Sequence, residues 1–185
     1  MHYNVNMPLT LIIGPMKSGK SLELISAVTP HEISGKDLLL IQPHKNERDN
    51  EISSRAGLQK PARKVHRLSD ITDDFSVIGV DEVHMFQAAD IDWLKKQVHA
   101  KKEIIVSGLD IDYSGKLFDV IRLILQLQPD KVIRKQSVCE LCNNMRGAYT
   151  QILHEGRVIK SGLPPVIPED GSYQYRTVCR DCYFV

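Results

Sequence analysis

An apolar run, a glycine turn and a helical pattern follow one another near the start of the chain, and together they leave few folds open. Residues 9–13 (LTLII) are almost continuously apolar and partly β-branched, which predicts a strand buried on both faces of a parallel sheet. Gly14-Pro15-Met16-Lys17-Ser18-Gly19-Lys20-Ser21 comes next and fits G-x-x-x-x-G-K-[ST] at every fixed position. Residues 22–28 then set Leu22, Ile25 and Val28 on one side of a helix, which Pro30 and Gly35 are expected to end. Glycines let a main chain wrap close around phosphate oxygens with its N–H groups pointing inward, and the helix adds the positive end of its dipole. A chance glycine turn has no need of a strand before it and a helix after it. The eight residues from Gly14 to Ser21 are therefore the expected phosphate cradle, with Lys20 reaching the outer phosphates and Ser21 holding Mg²⁺.

Further strands are expected at 38–41, 77–80 and 104–107, and helices at 91–100 and 118–127, with 44–64 a polar loop holding at most short structure. Strand–helix alternation of this kind predicts an α/β fold with a parallel sheet covered on both faces. Near residue 135 the pattern changes to Cys, Gly and Pro without a long helix. With 185 residues the chain suits one domain plus an appendage, so we divide it into 1–135, a P-loop nucleotide-binding domain, and 136–185, a small cysteine-bearing domain.

Charge narrows the partners. Lys plus Arg number 24 against 23 for Asp plus Glu, a balance that argues against gripping nucleic acid or an acidic membrane. No stretch of 18 apolar residues occurs and Met1 to Met7 carries no secretory pattern, so a cytoplasmic, reducing location is expected. There the cysteines are expected as thiolates or metal ligands, not disulfides.

Val77-Ile78-Gly79-Val80 runs into Asp81-Glu82. In open α/β sheets ligands lie beyond the carboxyl ends of the strands, which places Asp81 to share Mg²⁺ with Ser21 and Glu82 to take a proton from an attacking hydroxyl. Acidic residues are also common in surface turns, and the glycine cradle is what favours the functional reading. Asp81-Glu82-Val83-His84 also spells the DExH box of helicases, but such translocases need two α/β domains and a basic track.

Cys139-x-x-Cys142 and Cys179-x-x-Cys182 use every cysteine in the chain at identical spacing. Paired C-x-x-C turns present four thiolates to a tetrahedral Zn²⁺, a closed structural site. Four unrelated buried cysteines or a redox pair are the alternatives, though a redox motif needs only one pair. Metal at both knuckles would clamp the ends of 143–178, a candidate lid.

Over nearly its whole length the chain resembles the type II thymidine kinases. The resemblance rests on Gly-Pro-Met-x-Ser-Gly-Lys-Ser at 14–21, Asp-Glu-x-His-x-Phe at 81–86 and Gly-Leu-Asp-x-Asp-Tyr-x-Gly-x-x-Phe at 108–118. Cys-x-x-Cys at 139–142, Ala-Tyr-Thr at 148–150 and Tyr-x-x-Val-Cys-Arg-x-Cys-Tyr at 175–183 extend it. It implies a RecA-like ATP-dependent deoxynucleoside kinase with a zinc-held lasso domain, a homotetramer taking ATP, Mg²⁺ and a pyrimidine deoxynucleoside. It further implies that Glu82 is the general base, that Lys20 and Arg48 face the transferred phosphate, and that the cradle from Gly14 to Ser21 binds ATP. Met16, Met85, Phe86, Leu109, Tyr113, Phe118, Thr150, Ile167 and Tyr175 are implied as walls of the nucleoside pocket; for most apolar residues the commoner role is core. Departures from the family pattern are Asn46-Glu47-Arg48 in place of Asp-x-Arg, Met85 and Tyr113 in place of phenylalanines, and Ile167-Pro168-Glu169-Asp170 in place of Ile-Gly-Gly. A nucleotide-binding zinc module without transfer activity and a DExH-type ATPase are the rival functions.

Overall fold

The computed structural model describes residues 8–46, 51–54, 56–167 and 171–185. Strands β1 (Leu9–Ile13), β2 (Leu38–Pro43), β3 (Glu51–Ser53), β4 (Gln59–Pro61), β5 (Arg63–Val65), β6 (Val77–Val80), β7 (Glu103–Gly108) and β8 (Lys131–Arg134) are interspersed with helices α1 (Lys20–Ile33) after β1, α2 (Ile91–His99) after β6 and α3 (Asp119–Gln126) after β7. Six of the strands form one sheet in the order β5-β2-β6-β7-β1-β8, and every pairing in it is parallel.

Alternate side chains on the central strands divide the core in two, as a pleat requires. Leu11, Ile13, Leu39, Ile41, Ile104 and Val106 face the side covered by Ile91 and Leu94 of α2 and Val120, Ile121 and Ile124 of α3. Ile12, Leu40 and Ile105 face Leu24, Ile25 and Val28 of α1 on the other side. Burial on both faces is why these strands read as unbroken apolar runs.

Two expectations are corrected. Helix α1 does not stop at Pro30 but continues through it to Ile33, because a proline in the last turn removes one amide donor while the turn can still close. Gly35, at φ +74°, lies just past the cap, and its N–H donates to the Glu32 carbonyl at 2.9 Å to end the helix. The short structure expected in 44–64 is the antiparallel pair β3–β4 and the start of the edge strand β5, which runs on to Val65. A sixth strand, β8, forms just before residue 135 and covers the flank of β1; its largely exposed residues hide the apolar signature of a strand.

Beyond residue 135 the chain folds into a three-stranded antiparallel sheet in the order β10-β9-β11, from β9 (Tyr149–His154), β10 (Arg157–Ile159) and β11 (Gln174–Val178), followed by the short α4 (Arg180–Tyr183). Among the described residues no helix is long and apolar enough to cross a membrane.

Candidate active site

The glycine cradle leaves the carboxyl end of β1, at the middle of the sheet. Gly14 sits at φ +151°, and a Cβ there would lie 2.4 Å from the Lys135 carbonyl oxygen, so only glycine fits. Gly19 takes the left-handed conformation at φ +79° and caps α1 without a side-chain hydrogen bond. The cap thus brings no side-chain acceptor to the first turn of α1, the kind of helix start at which phosphates bind. Lys20 is buried, and its Nζ donates to the Pro15 carbonyl at 2.8 Å, which holds the ammonium over the loop.

Asp81 lies beneath the cradle, just past the end of β6. Ser21 Oγ donates to its Oδ2 at 2.9 Å, and Ser107 Oγ, from the end of β7, hydrogen-bonds Oδ1. Burial and then the adjacent Glu82 carboxylate push Asp81 up to about 6, against hydrogen bonds from Ser107 and Ser21 and the charge of Lys20. A buried carboxylate beside a serine hydroxyl is an oxygen pair that a divalent cation would satisfy, so both residues fit Mg²⁺. Ser107 was not among the sequence candidates; its place at a strand end next to Asp81 was the available signal.

Glu82 adopts φ +50°, a left-handed conformation that costs a non-glycine residue on the order of 1–2 kcal/mol. The sharp turn puts its carboxylate at the wall of a cavity of about 260 Å³. Its Oε2 lies 3.5 Å from Nδ1 of the buried His84. The Leu109 N–H donates to that same nitrogen at 3.2 Å. His84 also packs against Phe118, with ring centroids 4.8 Å apart.

The same cavity is lined by the cradle from Met16 to Ser21 and by Met85, Leu109, Tyr113, Phe118, Thr150, Ile167 and Tyr175. Phosphate loop, proposed base and most of the implied nucleoside wall therefore share one space. Phe86 is a correction: its side chain packs in the main core, while Met85, one residue earlier in the same 3₁₀ turn, reaches the cavity. Arg48, and Pro168 to Asp170, lie outside the described residues. Sequence reasoning gave no role to Asp112, Ile152, Pro165 and Val166, which also line the cavity; Asp112 stands in the 108–118 motif, and no motif marks the other three. Two roles differ from expectation in detail. Thr150 Oγ1 accepts a hydrogen bond from the Met16 N–H at 3.2 Å. The Tyr113 hydroxyl donates to the Leu163 carbonyl at 2.7 Å and accepts from the Leu163 N–H at 2.9 Å, fastening 163–167 over the cavity.

The sulfurs of Cys139, Cys142, Cys179 and Cys182 all lie within 4.8 Å of one another, with Cys142 and Cys179 3.8 Å apart. That is the edge of a tetrahedron with metal–sulfur bonds of about 2.3 Å, and far too long for a disulfide. Burial raises the Cys139 thiol, but hydrogen bonds from the backbone of Cys142, Cys179 and Leu141 outweigh it and bring it down to about 6. The neighbouring sulfurs of Cys142 and Cys179, followed by burial, push Cys182 up to about 12. Four thiols this close cannot all ionise without a cation among them, so the donor set fits a zinc-type ion.

Fold and site together define a P-loop protein with a cavity beside the phosphate loop. A family model described as thymidine kinase matches residues 7–183. A thymidine kinase of Pseudothermotoga lettingae is 28% identical over 182 residues, covering 95% of this chain and 94% of that protein. A thymidine kinase of Amsacta moorei entomopoxvirus is 26% identical over 187 residues, covering 96% and 98%. The chain belongs to the thymidine kinase family and is a kinase, a family that takes ATP, a metal and a nucleoside. The translocase and the inert zinc module are thereby disfavoured.

Proposed function

We propose that this chain transfers the γ-phosphate of ATP to the 5′-hydroxyl of thymidine or deoxyuridine. The observation that carries the reading is the single cavity lined at once by the cradle, by Glu82 and by an apolar wall of sheet and loop residues. The cradle amides and Lys20 hold the donor phosphates. Ser21 and Asp81 are the residues that would hold Mg²⁺, which supplies charge neutralisation between the phosphates. Glu82 takes the proton of the 5′-hydroxyl as its oxygen attacks the γ-phosphorus and ADP leaves. Lys20 stabilises the charge that develops, and we assign the same role to Arg48 on the family resemblance. Leu109, Tyr113, Phe118 and Ile167 enclose the base and keep out water that would otherwise accept the phosphate. We further propose a structural zinc on the four cysteines, a division into 1–135 and 136–185, a homotetramer and a cytoplasmic location.

The test is transfer of labelled γ-phosphate from ATP across a panel of nucleosides. Labelled thymidine or deoxyuridine monophosphate is expected, and Glu82→Gln should retain ATP binding while losing about 10²–10⁴-fold in turnover. Phosphate released only to water, or full activity in the glutamine variant, would refute the assignment.

A further inference from the structure

Two residues of the phosphate loop are held from outside it. The Met16 N–H donates to Thr150 Oγ1 at 3.2 Å, and Thr177 Oγ1 donates back to the Met16 carbonyl at 2.9 Å. Ser137 Oγ donates to the Lys17 carbonyl at 3.2 Å. Lys17 Nζ donates to both Glu140 carboxylate oxygens at 2.7 Å and lies 3.3 Å from the Tyr175 carbonyl. Lys17 itself has a left-handed backbone at φ +62°, a conformation that such outside bonds must maintain.

Glu140 is tied to both cysteine knuckles. It lies between Cys139 and Cys142 in the chain. Its N–H donates to the Thr177 carbonyl at 2.8 Å, and its Oε1 accepts from the Thr177 N–H at 2.7 Å. Thr177 stands two residues before Cys179. One carboxylate therefore grips the start of the second knuckle and the side chain of a cradle residue while its own backbone belongs to the first knuckle. Glu140 and Thr177 thus lie in the same short segments as the four sulfurs and are bonded to Lys17 and Met16.

We infer that Glu140 is a positioning residue for the donor site: through Lys17 and Thr177 it couples metal occupancy of the cysteine cluster to ATP binding in the cradle. The inference rests on the reading of those two sites given above. Such coupling is reciprocal: if metal tightens nucleotide binding, nucleotide tightens metal binding by the same factor. The Lys17 and Glu140 side chains are 28% and 36% exposed, so an isolated pair there would be weak; the shared bonds to Thr177 are what make it a lever.

The experiment measures zinc affinity of the full chain by competition with a chelating dye, with and without a magnesium-saturated β,γ-imido analogue of ATP. In the wild type the analogue is expected to tighten zinc about tenfold, within the usual range of coupling between sites. Glu140→Gln and Lys17→Met should each cut that factor below about threefold, and Glu140→Gln should raise the KM for ATP about tenfold with kcat changed less than about threefold. Lys17→Arg keeps the charge and should restore most of the coupling. Should Glu140→Gln fail to fold, the two Lys17 variants carry the comparison. Equal tightening in the wild type and Lys17→Met, or none in the wild type, overturns the inference. A wild-type chain that binds zinc and analogue independently refutes the coupling alone, whereas one that binds neither refutes the site reading as well.

Discussion

Removing the hydroxyl of Tyr113 should loosen the nucleoside site while leaving the phosphate chemistry in place. In Tyr113→Phe the ring stays, and the Tyr113 carbonyl, which accepts from the Tyr183 hydroxyl at 2.7 Å, is unchanged. What goes is a pair of hydrogen bonds to the Leu163 backbone, at 2.7 and 2.9 Å. Each is worth about 0.5–1.5 kcal/mol net, or roughly 1–3 kcal/mol together. Leu163 is only half-buried, so water can reach its freed N–H and carbonyl, which favours the lower half of that range. A loss of about 1–2 kcal/mol in holding 163–167 over the cavity corresponds to roughly a 5–30-fold rise in the KM for thymidine. Glu82 and Lys20, the proposed reacting groups, are not touched, so kcat should stay within about twofold. Steady-state kinetics at saturating ATP decide the matter. A KM within twofold of the wild type, accompanied by a lower melting temperature, would mean that the hydroxyl supports the fold and not the pocket.

Gly14→Ala must place a Cβ 2.4 Å from the Lys135 carbonyl, and should lose measurable ATP binding in calorimetry; binding within threefold of wild type would contradict the steric reasoning. Chelation should remove one metal per chain and lower the melting temperature, and Cys142→Ser should do the same; an unchanged melting curve after complete removal would exclude a structural role. Asp81, raised from 3.8 to about 6, binds its proton more tightly folded than unfolded. The stability this proton binding lends the magnesium-free protein is therefore complete below pH 4 and is lost as pH rises through about 6, on the order of 3 kcal/mol in all. Asp81→Asn should flatten that dependence in denaturant titrations run from pH 4 to 7, and a slope that persists in the variant would assign it to another group.

The parts of the fold that could be read in advance are those where burial dictates residue type. β1, β2, β6 and β7 lie inside the sheet, so their sequences are apolar on both faces, and their positions were predicted closely. β8, reading Lys-Val-Ile-Arg, hides its strand character because its residues are largely exposed and, among the described residues, it is the edge of the sheet. β3 and β4 are three residues each and polar enough to pass for loop. In the site, the cradle, Asp81, Glu82 and the cysteines were legible because their chemistry demands fixed types at fixed spacing. Ser107, Glu140 and Thr177 were not, since a serine, a glutamate or a threonine gains its meaning only from a partner distant in sequence. Tyr113 shows the same limit: its hydroxyl bonds a residue 50 positions away, so its place in the pocket could be anticipated but not its grip on Leu163. Phe86 was misplaced because the resemblance names a position, and a tight turn sends adjacent side chains in opposite directions.

The seam between β1 and β8 has a practical consequence. Residues 131–134, last in the chain to join the sheet, lie along the strand that leads into the glycine loop, and the carbonyl of the next residue backs against Gly14. A nucleotide-binding fragment trimmed ahead of this segment would leave β1 with a bare, hydrogen-bond-hungry flank and strip the loop of its backstop. Anyone excising a minimal ATP-binding unit from this protein must therefore keep the chain at least through residue 135, right up to the doorstep of the cysteines.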